Sequence, residues 1–111
     1  MGNKESVEKL FIEAKNFEKE GKYSDAIKSY EKLIEIDPGN PEAHFNLGLI
    51  CMKAFQKDIE VDALLEDKTD EKAWALRAIG EFKKVLEIDP QNEGAKKNTK
   101  IIQEVMELRR E

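Results

Sequence analysis

The chain has 111 residues, enough for one hydrophobic core and too few for two. Hydrophobic residues at 40% and charged residues at 39% exclude a disordered tail, and they leave charge on every surface that the core does not use. A net charge of −5 argues against a non-specific nucleic-acid binder, since phosphate neutralisation needs a clustered excess of Lys and Arg and the strongest basic cluster is only Lys96, Lys97 and Lys100.

From the N-terminus onward, the charged opening residues and the absence of any run of about 18 apolar residues predict neither a secretion signal nor a membrane span. A soluble, cytoplasmic protein is expected. Gly2 followed by Ser6 fits the pattern for N-myristoylation, but a single acyl chain needs a second membrane signal, and none stands beside it. A leading helix over about 7–20 ends at Gly21. The trailing helix carries Ala26, Ile27, Tyr30, Leu33 and Ile34 at three- and four-residue spacing, one apolar stripe that must be buried. Asn40 as cap, Pro41 in the first helical position and Glu42 beside the helix dipole start a third helix.

Residues 55–72, FQKDIEVDALLEDKTDEK, are neither Gly/Ser-rich nor poor in apolar residues. The spacing of Phe55, Ile59 and Ala63, with Val61 or Leu64 and Leu65, predicts that the third helix continues toward residue 66. Asp67 to Asp70 then form a turn, with Thr69 or Asp70 capping a helix that starts near 70. Trp74 falls early in that helix, placed to pack on the Ile59 and Ala63 side or to anchor a partner. Asn92 and Glu93 repeat the capping logic of Asn40 and Glu42 and open a last helix over 93–110, with Ala95, Ile102, Val105 and Met106 set among many charges.

Self-comparison organises these elements. YSDAIKSYEKLIEIDPGN at 23–40 aligns with ALRAIGEFKKVLEIDPQN at 75–92 at a shift of 52, whereas residues 7–20 align with 41–54 at a shift of 34. Residues 93–106 again follow 41–54 at a shift of 52. The unit is therefore 34 residues long, with 18 extra residues inside the second copy and a final unpaired helix. One hairpin cannot bury its own stripe. The next supplies the other wall, and small Ala14, Gly48, Ala26 and Ala78 let helices approach closely.

A 34-residue helix–turn–helix unit with Ala14, Phe17, Gly21, Tyr23, Ala26, Tyr30 and Pro38 in one copy resembles the tetratricopeptide repeat (TPR) family. In the other copy Leu47, Gly48, Ala78, Phe82 and Pro90 carry the resemblance. It implies an all-α fold, a right-handed α-α superhelix of two helical hairpins, the second elongated, plus a C-terminal capping helix. The expected organisation is a single domain over 1–111: repeat one at about 7–40, repeat two at about 41–92 with the insertion at about 55–72, and the cap at about 93–110.

No catalytic inventory accompanies this pattern. His44 is the only histidine, no Ser or Cys has a His and acid partnership, and no Gly-rich phosphate loop or calcium loop occurs, so no enzyme activity, metal or cofactor is expected. His44 and Cys51 are expected in packing. The resemblance implies a concave groove lined by the leading helices, whose matching residues are Phe11, Lys15, Phe45, Asn46, Leu49, Met52, Lys53 and, from the last helix, Ile101. Where some proteins of the family hold a chaperone's C-terminal carboxylate with Lys, Asn and Arg, this chain has Phe11, Lys15, Gly94 and Asn98, and only Asn46 matches. The expected role is a protein-binding module or scaffold taking a peptide or amphipathic helix on an apolar strip. The alternative is a homo-oligomeric scaffold associating through the groove or the extended second hairpin, with Trp74 as an extension contact.

Overall fold

A computed structural model describes residues 3–59, 61 and 71–109. These form α1 (Asn3–Lys19), α2 (Tyr23–Ile36), α3 (Pro41–Phe55), α4 (Glu71–Ile88) and α5 (Glu93–Leu108), with no strand among the described residues. Packing follows chain order: α1 on α2, α2 on α3, α3 on α4 and α4 on α5. The all-α repeat architecture expected from the sequence is present.

Each turn is closed by specific backbone chemistry. Gly21 takes φ +77°, its N–H bonding the Glu18 carbonyl at 3.0 Å while the Lys22 N–H reaches back to Phe17 at 2.8 Å. This Schellman arrangement satisfies carbonyls that the end of α1 would leave orphaned, and glycine enters the left-handed region without a Cβ penalty. The two EIDP turns are built alike. Asn40 Oδ1 accepts from the Ala43 N–H at 3.0 Å and Asn92 Oδ1 from the Ala95 N–H at 2.8 Å. Gly39 needs no positive φ, so Gln91 replaces it in the second turn without strain.

The third helix departs from expectation. It stops at Phe55 instead of continuing toward 66, because Lys57 adopts φ 65° and the chain folds into a second Schellman closure. The Lys57 N–H bonds the Ala54 carbonyl at 3.1 Å and the Asp58 N–H bonds Lys53 at 2.9 Å. The expected placements of Ala63, Leu64 and Leu65, and the Thr69 or Asp70 cap, lie outside the described residues.

The core lies between the hairpins, with Ile27, Tyr30, Leu33, Leu47, Ile50, Phe55, Phe82, Val85 and Ile102 buried. Gly48 sets the closest approach of α3 to α4: a Cβ there would meet the Phe82 ring at 2.9 Å. In the repeat register Lys96 and Lys100 of α5 stand where α3 has His44 and Gly48, and both are exposed. α5 therefore presents a polar face at the positions where α3 packs on α4.

Candidate functional site

Tyr30 is the pivot between the two leading helices α1 and α3. It is fully buried on α2, packs edge-on against Phe11 with ring centroids 5.9 Å apart, and donates a short hydrogen bond to Glu18, both on α1. From α3, Asn46 and Glu42 act on the same hydroxyl. Burial first, and Glu18 second, push the phenol well above the ordinary tyrosine value of 10.0. Since each hairpin reverses the chain, α1 and α3 run in the same direction, and both reach Tyr30 of α2.

On these helices the expected strip divides by burial. Phe11, Phe45, Leu49 and Ile101 are half-buried hydrophobics packed against the core, and Lys15 and Lys53 are exposed. Met52 at 8% and Asn46 at 9% exposure sit deeper. Phe45 stacks edge-on against Phe82 at 5.5 Å and lies against Gly94, where an added Cβ would come within 3.0 Å of its ring. It is therefore a packing residue as well as a surface one, and a polar substitution would disturb α4 and α5 together with the strip. The side-chain amide of buried Asn46 acts on the Tyr30 hydroxyl and lowers the phenol's pKa against the larger effects of burial and Glu18.

Two other singled-out residues find internal roles. Trp74 is only 6% exposed and belongs to the core, so its ring offers a partner no open surface in this structure. His44, 5% exposed, ties three elements together: Nδ1 meets Glu81 Oε1 on α4 at 2.7 Å and Nε2 meets the Pro38 carbonyl before α3 at 2.7 Å. A carbonyl only accepts, so Nε2 carries its proton. The repeat alignment placed His44 in packing without showing these bonds, because Glu81 lies 37 residues away. Cys51 is fully buried.

A second concavity lies outside the expected strip. A cleft of about 940 Å³ opens between the ends of α3, α4 and α5, lined by Phe55, Leu76, Ile79 and Met106 with Lys72 and Arg109 among its charged residues. The guanidinium of Arg109 lies over the Phe55 ring at 4.9 Å. In the repeat register Glu107 stands where α3 has Phe55 and Gln103 where it has Cys51; two small or polar exchanges thus leave unfilled a seam that the first interface closes. No helix among the described residues is long and apolar enough to cross a membrane.

No curated protein matches the chain closely enough to stand as a relative. The TPR repeat family profile matches residues 17–54, from the end of α1 through α2 and nearly all of α3. That match makes residues 17–54 similar to the tetratricopeptide repeat, in keeping with the paired hairpins in a 34-residue register and the close Gly48–Phe82 contact.

Proposed function

We propose that this protein is a non-enzymatic binding module that takes a peptide or helical segment of another protein across α1, α3 and α5. The residues in contact are Phe11, Lys15, Phe45, Asn46, Leu49, Met52, Lys53 and Ile101. TPR repeats in general mediate protein–protein interactions. The observation that carries the reading is the strip itself: half-buried Phe45 and Leu49 on α3, with half-buried Phe11 on α1 and Ile101 on α5. A bound segment would cover the strip with its apolar side chains.

Leu49 is a better probe than Phe45 because it is half-buried on α3, whereas Phe45 stacks on Phe82 and lies against Gly94. Peptides selected from a displayed library against the wild type should lose at least about tenfold in affinity for Leu49→Glu, with helicity unchanged by circular dichroism. Selected peptides that bind both proteins equally would refute the assignment. A second reading, self-association, is favoured by the α4–α5 cleft and by Leu76, 54% exposed at its edge. It requires sedimentation velocity to show a concentration-dependent oligomer that Leu76→Glu dissolves; a monomer at every concentration excludes it.

A further inference from the structure

The charges flanking the strip follow a register of their own. On α1, Glu8 and Lys19 are eleven residues apart, and on α3 so are Glu42 and Lys53. Eleven residues make about three helical turns, so each pair shares a face with the residues between them. Along α3 that face runs Glu42, Phe45, Leu49, Lys53, and along α1 it runs Glu8, Phe11, Lys15, Lys19. Because the two helices run in the same direction, the Glu8 and Glu42 carboxylates line one bank of the strip and the Lys19 and Lys53 ammonium groups the other, with Lys15 between them at the level of Leu49. All five charged residues are exposed, and none makes an ion pair among the described residues. Lys15 and Lys19 even stand four apart as like charges, an arrangement that is mildly unfavourable in an isolated helix.

We propose, resting on the binding role above, that the occupant is an amphipathic helix with an apolar stripe flanked by basic residues on one side and acidic residues on the other. Its basic flank lies along Glu8 and Glu42, and its acidic flank along Lys19 and Lys53. Width supports a helix. The banks are separated by about 16 Å at the α-helical rise, and a helix with its side chains is about 10–12 Å across, leaving room for one helix and its flanking charges. Reversing a helix in the groove would exchange its flanks, so the charge order also fixes the direction in which the partner runs.

The test uses two synthetic helical peptides of identical composition and identical leucine stripe, one with its charges segregated to opposite flanks and one with them interleaved. Each is labelled and titrated with the full chain by fluorescence polarisation. The segregated peptide should bind about tenfold more tightly at low salt, the sum of several exposed pairs. That preference should collapse near 1 M NaCl, where the screening length is about 3 Å. Lys19→Glu combined with Lys53→Glu should make the two affinities equal. Equal affinities for the wild type at low salt would overturn the charge assignment while leaving the apolar strip standing. Failure of either peptide to bind, or binding that Leu49→Glu leaves unchanged, would overturn the strip and the charge assignment together.

Discussion

At the scale of single residues, two close approaches make separate demands. Tyr30 is buried with its hydroxyl committed to Glu18, and its ionisation is pushed up by both. For an acid raised in the folded state, the stabilisation is complete below the unfolded value of 10.0 and is lost as pH rises past it, because the unfolded chain ionises first. Tyr30→Phe should therefore cost about 1 kcal/mol at pH 8 in urea melts, and the gap to wild type should shrink or invert above about pH 10.5. A gap independent of pH would mean that the phenol ionises as freely folded as unfolded. Gly48 makes the opposite demand, for absence of a side chain: Gly48→Val drives a branched group into Phe82 and should cost about 2 kcal/mol, visible as a lowered urea midpoint with an unchanged slope. The small residue at 48 was legible from the repeat alignment. The approach of Asn46 to Tyr30 was not, because a side-chain contact across helices depends on three-dimensional neighbours that no spacing encodes.

At the scale of elements, legibility followed how local the determining chemistry is. The caps at Asn40 and Asn92 and the Gly21 closure lie within four residues of the groups they satisfy, and their sequence signs are direct. The end of α3 misled because apolar spacing after Phe55 continues in helical register, while the left-handed residue that stops the helix is a lysine, a type with no preference for that conformation. Lys57→Gly should relieve that strain and raise stability by about 0.5–1 kcal/mol after glycine's own entropy cost, measured by thermal or urea unfolding. A destabilised variant would show that contacts of the Lys57 side chain outweigh its backbone strain. His44 gives the complementary lesson. Its place in the repeat indicated burial, but its role as a tie between α4 and the Pro38 turn rests on a carboxylate in the second hairpin.

At the scale of the whole molecule, two hairpins and a polar terminal helix make a short stack with one strip of half-buried apolar residues along its leading helices and a separate cleft at its far end. The strip was an expectation from the family resemblance; the cleft was not expected, since it lies where α5 departs from the register of α3. These two surfaces give the binding and self-association readings different addresses on one fold. Heteronuclear NMR titration of isotope-labelled protein with the charge-segregated helical peptide distinguishes them most directly. Binding at the strip predicts amide shift changes concentrated on Phe11, Lys15, Phe45, Asn46, Leu49 and Ile101. Changes confined to Leu76, Ile79 and Met106 around the cleft, or none at saturating peptide, would contradict it.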